Sequence, residues 1–244
     1  MNNSAFTFLK CFWRSFFIGA SFNTRGLQNI GLIYALDPGL KEIYPKKEDL
    51  QKARKRYVKL HNCHPFWTPL LVGIFLFLEQ KLAQNIIEKS FYNKVRPTVV
   101  YTLSALGDSF FGGSLLPFWS LLTVLFLVLH WYKAAFFLGL ILFIGLQIFK
   151  FYTFFLGLKY GFSALSILKK WDLINLGQYL KIINSGLILV LLVFIWPFNL
   201  NFWTTYFVIF LLFISVLIFK KYLWFREIVI FMIYMCLLAF YYFK

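Results

Sequence analysis

The chain has 244 residues, of which 61% are hydrophobic and 23% aromatic, with 33 phenylalanines. Soluble domains average about 45–50% apolar residues, and a soluble fold of this size could not bury the excess, so lipid must solvate much of the surface. The net charge of +16, from 25 basic and 9 acidic residues, falls in clusters between apolar runs. That is the pattern of loops beside an anionic leaflet, not of a nucleic-acid-binding face, so the expected partner is a lipid bilayer and no nucleic acid.

Residues 1–63 read as an amphipathic and basic region on the cytoplasmic side. Phe6, Phe8, Leu9, Phe12, Trp13, Phe16 and Phe17 alternate with Lys10 and Arg14, as in a helix lying at a membrane interface. Met1–Lys10 has no long apolar core of the kind a cleavable signal carries. Lys41–Lys59, KEIYPKKEDLQKARKRYVK, is strongly charged, and the Glu48–Lys52 spacing predicts a solvated helix facing the cytoplasm.

Residues 64–162 begin with two apolar runs too short to cross a bilayer, Pro65–Leu78 and Thr98–Phe111, separated by a polar stretch ending at Arg96. A span needs about 20 residues, so these predict re-entrant hairpins or broken helices, which survive at membrane depth only beside protein or a water-filled cavity. Leu115–Tyr132 and Ala134–Leu158 are long enough to span. Residues 163–244 supply the rest of a polar connector, Lys159–Lys181, and then Ile182–Trp196, Phe198–Phe219 and Ile228–Phe243. Basic residues in 41–59, 159–181 and 220–226 place those loops inside, while the turn WPFNLNF carries no charge. The fold expected is all-α, with several transmembrane helices plus re-entrant hairpins.

The segment ALGDSFFGGSLLPF, Ala105–Phe118, puts Asp108 among Gly107, Gly112, Gly113 and Pro117. Glycine lets a helix break, and proline is tolerated in the first turn of the next one. The segment therefore reads as helix, break, helix, with Asp108 at the break where freed backbone groups bind a solute or the carboxylate caps a helix end. Glu79, which ends the run Pro65–Leu78, has the same two readings: pathway lining, or pairing with a nearby cation. As an acid/base pair on a lipid substrate, Asp108 and Glu79 would need environments that separate their pKa values. Gly157 and Gly161 form a GxxxG spacing suited to a close helix contact. His61 and His64 flank Cys63, but no second ligand cluster accompanies them; Cys11, Cys63 and Cys236 are scattered, so no metal, cofactor or disulfide is expected. His130 beside Trp131 and Tyr132 fits an interfacial aromatic belt. Neither a Ser-His-Asp arrangement nor a Walker-type glycine loop is present.

Four blocks in order, between about residues 12 and 162, resemble the IID membrane subunit of mannose-family phosphoenolpyruvate-dependent sugar phosphotransferase systems. They are SFNTRGLQNIGLIYALDPGLKEIYP, LHNCHPFWTPLLVG, FLFLEQ and ALGDSFFGGSLLPF. The resemblance implies a helical fold with re-entrant hairpins, and a subunit that is not itself an enzyme. It implies pairing with a IIC subunit in the bacterial inner membrane, as a trimer of IIC–IID pairs. The complex would translocate a hexose or amino sugar that a soluble IIB subunit, supplied by IIA, phosphorylates. Carried onto this chain, Asn23, Gln28, Asn62, His64, Glu79, Gln80 and Asp108 are the candidates for the substrate pathway, and Pro65, Gly107, Gly112, Gly113 and Pro117 for the helix break. The chain departs from the family pattern at Arg25, Gly26, Leu78 and Leu116, where charges are lost, and it lacks the usual polar segment near the C-terminus. Where the lost charges were partners of one another, their joint absence is compatible with a stable fold. They also reduce the polar set available to a sugar, which gives the alternative of a non-transporting scaffold or regulatory protein derived from a IID subunit.

Overall fold

The computed structural model describes residues 2–195 and Phe210, and Met1–Ile188 form one compact unit. The spans expected at Phe198–Phe219 and Ile228–Phe243, with the basic turn between them, lie outside the described residues save for Phe210, which is helical. The described chain is helical, with only isolated β-bridges. In order it forms α1 (Asn2–Ser15), α2 (Asn29–Ile43), α3 (Lys47–Arg56), α4 (Thr68–Ala83), α5 (Lys89–Gly107), α6 (Leu116–Val128), α7 (Tyr132–Tyr160), the short α8 (Ala164–Lys169) and α9 (Leu173–Ile195).

Among the described residues, three helices are long and apolar enough to cross a membrane: Lys89–Val128, Tyr132–Lys169 and Leu173–Ile195. The second of these carries Phe136, Phe137, Ile141, Phe143, Ile148 and Phe151, all exposed. Such a ladder of large apolar side chains is stable only in lipid.

The interior of the unit is built around α4. Its 16 residues reach about 24 Å at 1.5 Å per residue, short of the roughly 30 Å hydrocarbon core. Yet nearly every residue from Thr68 to Glu79 is buried. A helix apolar all round belongs inside, and α4 lies against α1, α2, α5 and most extensively α7. Two glycines permit the α4–α7 crossing. A Cβ on Gly157 would lie 2.5 Å from the Leu70 carbonyl oxygen and 2.9 Å from the Ile74 nitrogen; one on Gly73 would press on the Phe154 carbonyl. Gly157 of the GxxxG spacing thus makes a close helix contact, but its partner is Gly73. Gly161 instead ends α7 in a left-handed conformation (φ +54°) beside the Phe77 ring.

The Asp108 segment is not broken. Asp108–Leu115 is a π-helical stretch that joins α5 to α6 in one continuous helix of 40 residues. The backbone stays paired through wider turns, as in the bond from the Leu116 N–H to the Phe111 carbonyl. The widening gives the Pro117 ring room against the carbonyl four residues before it, where an α-helix would clash. The expected short run Thr98–Phe111 is therefore the middle of a long helix and not a separate hairpin. The polar connector Lys159–Lys181 is likewise mostly helical: α7 runs to Tyr160, and after α8 and a turn at Asp172 (φ +48°), α9 has already begun at Leu173.

The charged stretch 41–59 does form a helix, α3, but its ion pair is Lys52 with Asp49 at 3.2 Å, one residue short of the expected Glu48 partner. It is also not solvated all round. Arg54 turns inward to Asp37, which also pairs with Lys41 at 2.8 Å. Burial raises the Asp37 pKa, but these two cations outweigh it and hold the carboxyl below its ordinary value.

Candidate functional site

Glu79 sits in the last turns of α4 with none of its surface exposed. Its Oε1 accepts from the Tyr92 hydroxyl at 2.7 Å, the Tyr57 hydroxyl at 2.8 Å and Arg56 Nε at 3.1 Å. Its Oε2 accepts from the Tyr44 hydroxyl at 2.9 Å and from Arg56 Nη2. A buried carboxylate needs a counter-charge and donors on both oxygens, and here the guanidinium supplies the first and three phenols complete the second. Burial, then the charge of Glu79, raise the Tyr44 and Tyr57 pKa values, so both stay protonated donors. Arg56 stays charged despite its own burial because Glu79 faces it. Arg96 closes the knot, donating to the Arg56 carbonyl and lying 4.9 Å from the Tyr57 ring centre. Asp108 is not a member, so the two carboxylates considered as an acid/base pair are held in separate environments.

A second cluster joins the loop 21–30 to the loop 57–67. Asn23 organises the first. Its Oδ1 accepts from the backbone N–H of Arg25 (3.1 Å) and Gly26 (2.7 Å), and its Nδ2 donates to the Leu27 carbonyl (3.2 Å) and to Asn29 Oδ1 (3.0 Å). Such side-chain bonds are why asparagine nucleates turns. Gly26 leaves room that Asn29 fills, and Asn29 Nδ2 reaches the Val58 carbonyl at 2.6 Å. A side chain at position 26 would collide with Asn29. Gln28 then bridges the loops: its N–H donates to the His61 carbonyl at 2.9 Å, and its Oε1 accepts from the Cys63 N–H at 3.0 Å.

Beside this junction lies a partly polar cavity. Ser15, Gln28, Pro65, Thr68 and Lys150 line a cavity of about 120 Å³ beside Phe16 and Ile18. The Ser15 and Thr68 hydroxyls donate to backbone carbonyls at 2.6 and 3.3 Å, which leaves their lone pairs to accept from a ligand. Lys150 Nζ lies 4.7 Å from the Phe16 ring centre and 5.1 Å from that of Phe66. Among the described residues, no carboxylate lies within ion-pair distance of it. The cavity therefore presents two donors, an ammonium and an amide, with two hydroxyl acceptors. Its volume equals roughly four waters, room for the hydroxylated edge of a small solute.

His64 precedes Pro65 of this lining. Its ring stacks on Phe111 with centres 5.3 Å apart. Burial lowers its pKa; Lys150 acts the same way, and Asp108 opposes them. Gly107 fits under this loop, since a Cβ there would meet His64 and lie 2.8 Å from Trp67 Cδ1. Asp108 is exposed, as are Asn62, Pro65, Gly112 and Gly113. The end of the Lys181 side chain passes Gly113, and Asn184 Nδ2 donates to the Ser114 carbonyl at 2.9 Å. Pro117 is half-buried in the first turn of α6. Gln80 is exposed near the end of α4, on the Glu79 side.

The structure thus gathers Gln28, His64, Pro65, Gly107 and Asp108 around the 61–67 loop and sets Glu79 apart. Lys150 and Arg56 are absent from the expected set. Lys150 had a readable signal, as the sole charge in the apolar run Ala134–Leu158. Arg56 had none, being one of many cations in a charged stretch.

Residues 4–193 match the model of a family described as the PTS system mannose/fructose/sorbose family IID component. Over 158 residues the chain is 27% identical to the fructose permease IID component of Bacillus subtilis, covering 62% of this chain and 54% of that protein. It is 27% identical over 108 residues to the mannose-specific EIID component of Escherichia coli, covering 43% of this chain and 38% of that one. The chain therefore spans about half or less of the length of these relatives. Among solved structures, the complex of the mannose transporter ManYZ with microcin E492 contains a chain that superposes with a TM-score of 0.54 at 20% identity, covering 96% of this chain and 95% of that one. A structure described only as a membrane protein superposes with a TM-score of 0.60 at 22% identity, covering 76% and 69%. At such identities the likeness speaks to the fold.

Proposed function

Since the chain belongs to the mannose/fructose/sorbose family of IID components of phosphotransferase systems, we propose that it serves as the IID half of a sugar permease in the bacterial cytoplasmic membrane. It pairs with a IIC subunit, in a trimer of such pairs, and together they move a hexose or amino sugar inward. Soluble IIA and IIB carry the phosphoryl group, and this chain supplies no catalytic residue. The observation that carries the reading is the cavity lined by Gln28 and Lys150, whose lining also includes Pro65, the residue after His64. A cation and an amide without a carboxylate partner, inside a helical membrane protein, are costly unless they meet a solute or water. Donors and acceptors set side by side suit hydroxyl groups, each of which both gives and takes a hydrogen bond. The cavity's size fits one edge of a sugar, with the remainder met by IIC.

The test is uptake. Cells lacking their own permease would carry this chain with the IIC, IIB and IIA subunits encoded beside it, and radiolabelled mannose, fructose, sorbose and amino sugars would be supplied. Uptake of one of them is expected, with about a tenfold loss on Lys150→Met or Gln28→Ala, the order of one hydrogen bond to a charged group. Asp108→Ala is expected to reduce uptake while the complex stays intact. An intact complex that moves none of these sugars would overturn the proposal and favour a scaffold.

A further inference from the structure

A second concavity, sharing no lining residue with the Gln28–Lys150 cavity, lies where the end of α2, α3, the end of α4 and the start of α5 meet. Its volume is about 760 Å³. Five cations line it: Lys46, Lys52, Lys55, Arg56 and Lys89. Asp49 is the one carboxylate in the lining, and Lys52 is bonded to it. Arg56 is engaged by Glu79. Lys46, Lys55 and Lys89 are exposed, and among the described residues none has a carboxylate within ion-pair distance. The floor is apolar, with Ile43 and Leu82.

Like charges brought together around a concavity repel one another and focus a positive potential there. Three unpaired ammonium groups contributed by separate elements therefore form a site that an anion relieves. Their spread over the mouth of one cavity fits a group with several acceptor oxygens, since each lysine donates as a separate point charge. Lys89 is also the first residue of the membrane-crossing helix Lys89–Val128, so the cavity opens on the polar end of a span. We propose that this concavity binds a phosphate-bearing anion, with Lys46, Lys55 and Lys89 as its ligands. The phosphate comes either from an anionic lipid headgroup or from solution.

Thermal unfolding of the full chain in lipid nanodiscs separates the two sources. One preparation is phosphatidylcholine alone, titrated with inorganic phosphate against chloride at fixed ionic strength. The other includes phosphatidylglycerol. Saturation of the site is expected to raise the melting temperature by roughly 5 °C. A rise with phosphatidylglycerol alone identifies a headgroup, and a rise with inorganic phosphate identifies a soluble ligand. The rise is expected to vanish in Lys46→Gln/Lys55→Gln/Lys89→Gln. It is expected to persist in Lys59→Gln/Lys94→Gln/Lys170→Gln, which removes as many exposed charges elsewhere. If neither anion stabilises the chain, or if both triple variants lose the effect equally, the proposal fails. The single change Lys55→Glu, on an exposed turn of α3, provides a milder variant, expected to weaken binding several-fold.

Discussion

Replacing Arg56 with methionine isolates the energetics of the Glu79 knot. The carboxylate would remain fully buried, still holding its three tyrosine donors but with no counter-charge. Removing one partner of a buried ion pair costs about 3–5 kcal/mol, because the other charge is left uncompensated. Arg56 is 17% exposed, so some water relieves the loss and the lower half of that range is expected. For a chain of this size each kcal/mol moves the melting temperature by about 2–4 °C, so Arg56→Met should fall by roughly 6–16 °C. Glu79→Gln should cost a similar amount, since the guanidinium then has no anion. Arg56→Met/Glu79→Gln removes both charges, and its cost should be well below the sum of the singles, with a coupling of about 2 kcal/mol or more. Melting followed by fluorescence-detected size exclusion in one detergent supplies the four corners of the cycle. Single changes that cost under about 1 kcal/mol, or a double that is simply additive, would refute the view of a desolvated, mutually dependent pair.

Four other outcomes test the packing and the loops. Gly157→Ala places a methyl group 2.5 Å from the Leu70 carbonyl, where no side chain can move aside; the same assay should show a cost of about 1–3 kcal/mol. Gly139→Ala, whose Cβ meets nothing within 4 Å, should be neutral or stabilising by up to about 1 kcal/mol through helix propensity. His61, buried and near Arg96, has its pKa lowered to about 4, by burial first. Its neutral form is favoured on folding, so its contribution is fully present above the unfolded value near 6.5. It is lost as pH falls toward 4, by about 3 kcal/mol in all. Melting points measured from pH 7 to 4.5 should fall, and less steeply in His61→Phe. Asn23→Ala strips two N–H groups of their acceptor and should release the 21–27 turn, with tryptic cleavage at Arg25 the readout and a loss of about 1–3 kcal/mol.

Composition and hydropathy alone determined that the protein is helical and solvated by lipid, because an apolar surface of this extent has no other stable solvent. Local chemistry also marked the 105–118 segment as special. Its outcome, a continuous π-helical stretch in place of a break, depended on tertiary support: Asn184 of α9 holds the Ser114 carbonyl and Lys181 covers Gly113. The charge pattern of 41–59 announced a helix, but not that Arg54 and Arg56 would turn inward. The sequence distance from Arg56 to Glu79 is 23 residues, and no periodicity links positions so far apart. The pairing of Gly157 with Gly73 was hidden for the same reason, since each glycine's use depends on which backbone comes to meet it. Gln28, His64 and Lys150 became neighbours only when three separate elements packed. Sequence ranks residues by what each can do alone; which of them share a solvent-excluded space is decided by packing, and the low dielectric of that space is what gives a lone charge its consequence.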